Sequence, residues 1–152
     1  MSAAMLCCVL PAGVKVDVVL DRTPFYAESG GQVADTGLLS TTSSSSSSSD
    51  AASTSSSETE AVLHVADVQK GAGGRLFVHN CVLQEGSLTV GQQVTAEVDL
   101  VQRRRIKAHH TATHLLQSAL KQVLGQDTCQ QGSLCDANRL RCVFDICWVI
   151  ST

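Results

Sequence analysis

The chain has 152 residues, of which 43% are apolar and 3% aromatic, and its formal charge is -3. This length suits one ordinary domain or two small ones, and the apolar fraction supports a core built mainly of aliphatic side chains. The small negative charge excludes a globally basic nucleic-acid-binding protein, so any contact with a polyanion needs a local basic patch.

The seven cysteines are odd in number and contain no CxxC pair. They match neither a disulfide framework nor a paired zinc knuckle, and a reducing compartment is the simpler interpretation. The first residues, MSAAMLCCVLPAG, have no basic leader and are too short to cross a membrane. We expect a soluble cytoplasmic protein with an N-terminal extension over residues 1–13. An organellar location stays open, because a missing natural N-terminus would hide a transit signal.

Residues 14–100 are predicted to form a β-rich unit, either a small barrel or a curled sheet. Residues 14–20, 61–68 and 76–83 have strand composition, and KGAGGR separates the last two runs. Residues 93–100 predict a last strand, in which Val94, Ala96, Val98 and Leu100 point inward.

Residues 40–57 consist almost entirely of Ser and Thr. Such a segment cannot bury enough apolar surface to offset the entropy lost on ordering, so a disordered loop is predicted. We place it as an insertion between two strands of one sheet, where a long surface loop costs little.

The stretch FYAESGGQVADTG contains a glycine pair followed by a glutamine. Gly30 and Gly31 allow positive φ or the close approach of a ligand, and the Gln32 amide can both donate and accept hydrogen bonds. A simple hairpin turn explains the triplet equally well.

Residues 103–125, RRRIKAHHTATHLLQSALKQVLG, predict a helix that ends at Gly125. One broad apolar arc is expected to be its buried face: Ala108, Ala112, Leu115, Leu116, Ala119, Leu120, Val123 and Leu124. His110 and His114 lie on the opposite side, one turn apart, where they can reach a single metal ion or be simply solvated or hydrogen-bonded. His109, near the apolar edge, is expected to be partly buried and hydrogen-bonded.

The same helix begins with a basic run of Arg103, Arg104, Arg105 and Lys107. The run indicates either a polyanion contact or a solvated helix start. After the helix, residues 131–150 are predicted to pass through a turn into a strand. That strand would be an aggregation-prone edge if exposed, so it either pairs inside the fold or belongs to an incomplete piece.

The segments DRTPFYAESGGQVADTG and HHTATHLLQSALKQVLG, followed by QGSL and LRCVFD, closely resemble the editing region of alanyl-tRNA synthetases and their free-standing relatives. The resemblance implies an α+β fold. Residues 14–100 would form a β-barrel of the translation-factor type. Residues 101–152 would begin an α/β editing domain of the kind shared with threonyl-tRNA synthetases.

The resemblance also implies hydrolysis of the ester in alanine-specific tRNA that carries serine or glycine. In that family the HxxxH pair, here His110 and His114, holds zinc together with a downstream Cys and His. Gln32 matches the glutamine of the family's GGQ motif and would line the editing cleft. A buried site that must satisfy a hydroxyl group can select serine over alanine.

The sequence departs from the family at its end, where ICWVIST follows Phe144 and Asp145. The downstream ligand pair would lie beyond Thr152, and the aminoacylation core precedes this region in the family. We therefore expect a fragment of an alanine-tRNA ligase, with at most residual deacylase activity, whose partner is alanine-specific tRNA. A non-catalytic tRNA-binding or interaction module is the alternative, and a chain that does not fold stably is the third possibility.

Overall fold

The computed structural model describes residues 12–41 and 60–145. Five strands come first: β1 (Lys15–Val19), β2 (Gly37–Thr41), β3 (Val62–Gly71), β4 (Leu76–Glu85) and β5 (Val94–Val98). A helix, α1 (Leu100–Leu124), and two further strands, β6 (Cys129–Cys135) and β7 (Leu140–Asp145), follow. The first five strands form one antiparallel sheet in the order β1-β4-β3-β2-β5, and β6 pairs with β7. The described residues thus have the mixed α+β character predicted.

The β3–β4 pair forms the centre of the main sheet and confirms both strands predicted there. Leu63 and Val65 of β3 are fully buried, and so is Val68, three positions further on. A register shift between Val65 and Asp67 adds one residue to β3, which reverses the alternation of its two faces. The bulge therefore keeps Val68 in the core.

The Ser-rich insertion joins β2 to β3, two paired strands of the same sheet, as predicted. Most of the segment predicted to be disordered, residues 42–57, lies outside the described residues, but Ser40 and Thr41 belong to β2. Thr41 is buried and forms two hydrogen bonds with Ala61. The Thr41 N–H donates to the Ala61 carbonyl at 2.9 Å, and the Thr41 Oγ1 accepts from the Ala61 N–H at 2.8 Å. The two ends of the insertion are therefore fixed to each other.

The prediction of a closed barrel is not met by the described strands, which form an open, curled sheet. β1 and β5 are its two edges, and each has one hydrogen-bonded neighbour among the described strands. A cavity of about 570 Å³ is lined by residues 19–22, at the end of β1, and by residues 91–96, which lead into β5. Among the described strands, the two edges thus line a common space but do not pair with each other as closure requires.

Helix α1 starts three residues before the predicted boundary, and this corrects the inward position predicted for Leu100. The Asp99 carboxylate accepts hydrogen bonds from the N–H groups of Val101 and Gln102, at 2.9 and 3.0 Å, and so caps the helix. Leu100 is the first helical residue and is 58% exposed. Gly125 ends the helix at φ 107°, as predicted, and its N–H donates to the Lys121 carbonyl.

The buried face of α1 differs from the predicted apolar arc. Ile106 and Thr113 are the buried residues of the helix, whereas Leu115 is 67% and Val123 80% exposed. Apolarity alone predicts that arc, but the β6–β7 hairpin packs on another side of the helix, where Thr113 contacts Cys135. Most of the predicted arc therefore faces away from the described core.

The hairpin after α1 includes one strand that was not predicted, β6. Its turn is fixed by Asp136, whose carboxylate accepts from the N–H groups of Asn138 and Arg139 at 2.7 and 2.8 Å. β7 confirms the predicted final strand up to Asp145 and pairs inside the fold, with β6. The predicted strand residues beyond Asp145 lie outside the described residues. Within the described ranges, no helix has both the length and the apolar content needed to cross a membrane.

Candidate functional site

The GGQ triplet forms a tight two-residue turn. Ser29 and Gln32 exchange two backbone hydrogen bonds, at 3.2 and 3.0 Å, and the residues between them have φ of 60° (Gly30) and 78° (Gly31). Positive φ at both central residues is the requirement of the hairpin turns that glycine favours. The hairpin-turn interpretation is therefore correct for the backbone, and the half-buried Gln32 lies at the end of this turn.

This turn is docked on strand β6. The Cys135 N–H donates to the Gly31 carbonyl at 2.7 Å, and the Val33 N–H donates to the Cys135 carbonyl at 3.1 Å. A Cβ atom on Gly31 would lie only 2.3 Å from the Ser133 carbonyl oxygen. Glycine is thus required at position 31 for two reasons, the positive φ and the lack of space beside β6. The hydrogen bonds also hold Gln32 next to the β6–β7 sheet.

His110 and His114 lie side by side on α1. Their Nε2 atoms are 3.0 Å apart and their ring centroids 4.8 Å apart, with His110 half-buried and His114 exposed. Two nitrogen ligands of a tetrahedral zinc ion, each about 2.0–2.1 Å from the metal, are separated by roughly 3.3–3.4 Å. The two imidazoles therefore fit one shared ion after an adjustment of a few tenths of an ångström.

The described residues supply only this half of a zinc site. No group of three or more His, Cys, Asp or Glu side chains converges among residues 12–41 and 60–145. The metal prediction for His110 and His114 stays a prediction, since a hydrogen bond between the rings accounts for the same contact.

His109 has the structural role predicted for it. Its Nδ1 lies 2.7 Å from the Asp136 carbonyl oxygen, and the side chain is half-buried. Because a carbonyl only accepts, Nδ1 carries the proton in this contact. His109 thus ties α1 to the turn of the β6–β7 hairpin.

Thr113 contributes a second tie between the helix and the hairpin, and the sequence analysis missed it. Its hydroxyl donates to the His109 carbonyl at 3.0 Å. Its Oγ1 lies 3.3 Å from the Cys135 sulfur and 3.8 Å from that of Cys142. Because the hydroxyl proton is used, both thiols act as donors. One sequence signal indicated that Thr113 is buried: it follows Ile106 by seven residues, which places Ile106 and Thr113 on the same face of the helix.

The basic run divides into two parts. Arg103 is 25% exposed. Its guanidinium forms an ion pair with the Asp35 carboxylate, to which both Nη2 and Nε donate, Nε at 3.1 Å. Nη2 also donates to the Pro24 carbonyl at 2.6 Å. The hydrogen bonds to Asp35 raise the pKa of Arg103 above its ordinary value. Arg104, Arg105 and Lys107 are exposed, so the predicted contact of this run with a polyanion, which the resemblance implies is tRNA, now depends on these three.

Asp35 was also missed by the sequence analysis. It is 2% exposed, and its carboxylate accepts from the Tyr26 N–H at 2.6 Å in addition to Arg103. Its ionic partner lies 68 residues away in the chain, and no local pattern reports a pairing over that distance.

Comparison with known proteins gives consistent results. Residues 7–102 match the family model described as tRNA synthetases class II (A). The chain is 54% identical over 135 residues to an alanine--tRNA ligase, chloroplastic/mitochondrial, of Ostreococcus lucimarinus, which covers 89% of this chain and 13% of the relative. The corresponding Arabidopsis thaliana ligase is 50% identical over 133 residues, with 88% and 12% covered. An alanine--tRNA ligase of Thermosynechococcus vestitus is 46% identical over 134 residues, with 88% and 13% covered. The chain therefore spans about one eighth of the length of these relatives.

Proposed function

The chain belongs to the alanine-tRNA ligases, a family of class II tRNA synthetases, and on that premise we propose that it forms the part of a ligase in which a β-sheet module leads into the editing region. Its role would then be in alanyl-tRNA synthesis, through removal of serine or glycine wrongly joined to alanine-specific tRNA. The observation that carries this proposal is the His110–His114 pair, with its Nε2 atoms 3.0 Å apart on one face of α1.

The reaction is the hydrolysis of an ester. Water adds its oxygen to the acyl carbonyl carbon, the bond from that carbon to the ribose oxygen breaks, and the ribose oxygen takes a proton. His110 and His114 would hold a zinc ion, and bound zinc polarises carbonyl groups and lowers the pKa of bound water. Gln32, on its docked turn, would donate to or accept from the polar groups of the acyl-tRNA end.

Deacylation by the complete gene product tests this proposal. Sequencing the transcript on both sides of this region defines that product, and we expect an in-frame Cys and His beyond Thr152. The product should hydrolyse serine-charged tRNA, and His110→Ala or His114→Ala should abolish the hydrolysis. His64→Ala, at an exposed histidine of β3, is the matched control and should have no effect. A downstream sequence without the two ligands, or full activity in His110→Ala, would refute the editing proposal.

A non-catalytic tRNA-binding module is the second candidate, and the exposed Arg104, Arg105 and Lys107 favour it. Each phosphate contact adds roughly 0.7–0.9 to the steepness with which the logarithm of the binding constant falls against the logarithm of the salt concentration. Changing all three to Ser should therefore weaken binding of alanine-specific tRNA and flatten the salt dependence.

The control for this experiment removes the same charge elsewhere. Lys15, Arg22 and Arg75 are exposed cations outside α1, and changing these three to Ser should leave the salt slope unchanged. Equal losses in both triple variants would show only a general charge effect. Arg103 is kept in both, because its loss would break the contact with Asp35.

For the compartment, we propose a chloroplast or a mitochondrion in place of the cytoplasm expected from the sequence. Several of the relatives at 46–54% identity are named chloroplastic/mitochondrial. Cell fractionation with an antibody against this chain should place it with an organelle marker, and detection in the cytosolic fraction alone would contradict the proposal.

A further inference from the structure

Three parts of the chain contact one another, and two of them carry the candidate site residues. They are residues 24–35, which carry the Gln32 turn, helix α1, which carries His110 and His114, and the β6–β7 hairpin. Each part contacts the other two, so the contacts form a closed three-way junction.

The first contact joins residues 24–35 to α1. Arg103 donates to the Asp35 carboxylate and to the Pro24 carbonyl, which lie at the two ends of this segment. Asp35 is 2% exposed and accepts from the Tyr26 N–H as well. Hydrogen bonds between Tyr26 and Asp35 close the segment into a loop, and Arg103 fixes that loop to the helix.

The second and third contacts involve the hairpin. Two backbone hydrogen bonds fix the Gln32 turn to β6: the Cys135 N–H donates to the Gly31 carbonyl, and the Val33 N–H donates to the Cys135 carbonyl. His109 binds the Asp136 carbonyl, which fixes the hairpin to the helix one residue before His110. Thr113, four residues after His109, attaches the helix to the hairpin a second time through its contacts with Cys135 and Cys142.

Arg103 attaches the start of the same helix to the segment that carries Gln32. Arg103 precedes His110 by seven residues, which is about two turns and roughly 10 Å, so the two residues share a face. We propose that Arg103 and Asp35 are positioning residues, which set the face of α1 bearing His110 and His114 relative to the turn bearing Gln32. The inference rests on the proposed function in one respect: the proposed function assigns His110, His114 and Gln32 to the same editing site.

The chemistry of the contact suits this role. A guanidinium presents several N–H groups in a rigid plane, so it constrains direction as well as distance, whereas a lysine ammonium acts as a point charge. Arg103 uses two of its nitrogens on Asp35 and shares one of them with Pro24. Lysine at this position would keep the charge and lose the orientation.

Nuclear magnetic resonance of the 152-residue chain with Co²⁺ can test the proposal without tRNA. Co²⁺ at His110 and His114 shifts nearby nuclei according to their position relative to the ion, and Zn²⁺ serves as the diamagnetic reference. The readout is the shift of the Gln32 side-chain amide divided by that of the Thr111 N–H, which lies on the helix itself. The His110→Ala/His114→Ala variant separates this site from binding by cysteines.

Arg103→Met should change that ratio by more than the variation between the wild type and Arg104→Met, because the shift depends on both the distance and the direction of the amide from the ion. Arg103→Lys, which is the more conservative variant and keeps the charge, should also change it. Arg104→Met removes the neighbouring exposed arginine and should leave the ratio at the wild-type value. An unchanged ratio in a folded Arg103 variant would show that the contact only stabilises the fold, and would overturn the proposal.

Amide hydrogen exchange gives a readout that does not need the metal. If the wild-type chain takes up no Co²⁺ at the histidines, the two imidazoles alone are too weak a site for this measurement, and the metal proposal is left to the deacylation experiment. The positioning role is then judged by exchange of the Val33 and Cys135 N–H groups, whose bonds hold the turn on β6. Exchange should accelerate in Arg103→Lys and not in Arg104→Met, and equal exchange in both would overturn the inference.

Discussion

Gly30 and Gly31 are adjacent in one turn, yet only Gly31 has no room for a side chain. A Cβ on Gly30 would meet nothing within 4 Å, whereas one on Gly31 would lie 2.3 Å from the Ser133 carbonyl oxygen. Both have positive φ, which costs an alanine about 1–2 kcal/mol. The two positions therefore separate the cost of backbone conformation from the cost of a clash.

We predict that Gly30→Ala lowers the free energy of unfolding by about 1–2 kcal/mol. Gly31→Ala should lower it by roughly 3 kcal/mol or more, because the overlap with Ser133 forces β6 to move. Urea unfolding of both variants measures the difference. Equal losses would mean that the turn does not pack on β6 in solution.

His79 is a second residue whose surroundings determine its chemistry. It is fully buried beside Phe25, with Nε2 2.7 Å from Thr23 Oγ1 and Nδ1 2.9 Å from the Val18 carbonyl. The carbonyl can only accept, so Nδ1 carries the proton and Nε2 accepts from Thr23. Burial lowers the pKa of His79 below its ordinary value, against the opposing effect of the bond to Val18.

The stability of the fold should therefore decrease in acid. Below about pH 6.5 the histidine of the unfolded chain binds a proton more readily than the buried one, so the free energy of unfolding falls as the pH falls. This contribution is complete above the ordinary pKa and is lost as the pH drops through the lowered one. Urea midpoints between pH 7.5 and 5 should show the slope in wild type and in His64→Gln, but less of it in His79→Gln. An unchanged slope in His79→Gln would assign it to other groups.

At the scale of the element, α1 shows why apolar periodicity alone gave the wrong buried face. Leu115 and Val123 contribute to the predicted arc but are exposed, whereas Ile106 and the polar Thr113 are buried. The threonine hydroxyl is compatible with burial because it donates to the His109 carbonyl one turn earlier. The ends of this helix, in contrast, are determined locally: Asp99 caps its N-terminus and Gly125 ends it, as these residue types commonly do.

A pair of alanine variants tests this assignment. Ile106→Ala should lower the free energy of unfolding by about 3 kcal/mol, since it leaves a cavity at a residue that is 1% exposed. Leu115→Ala changes a leucine that is 67% exposed and should cost less than about 0.5 kcal/mol. The opposite order of losses, measured by urea unfolding, would restore the apolar arc as the buried face.

At the scale of the whole molecule, the described residues bring two imidazoles together on α1 and join that helix to residues 24–35 and to the β6–β7 hairpin. A closed zinc site takes four ligands, whose geometry the fold must fix. Two histidines on one helical face bind a divalent ion only weakly.

We predict that the 152-residue chain, purified without added metal, contains well under one equivalent of zinc. Any zinc that it takes up should be lost in His110→Ala and in His114→Ala, while His64→Ala should retain it. Elemental analysis after dialysis against a chelator measures this. Stoichiometric zinc that survives dialysis would show that further ligands complete the site.

Local sequence determined the parts of this protein whose causes are local. The β-branched runs predicted β1, β3 and β4, glycine marked the turn at Gly30 and Gly31 and the helix end at Gly125, and the one-turn spacing placed His110 beside His114. In each case the deciding atoms lie within a few residues of one another, so composition and spacing report them.

Tertiary structure decided whatever depends on distant residues. The open sheet, the buried face of α1, the docking of Gly31 on Ser133 and the pairing of Asp35 with Arg103 all join residues far apart in the chain. Their energies come from packing and from the desolvation of charges, which are properties of the assembled surfaces and leave no periodic trace in either segment alone. The basic run shows the difference most clearly, because four similar cations in sequence become one internal positioning residue and three exposed ones.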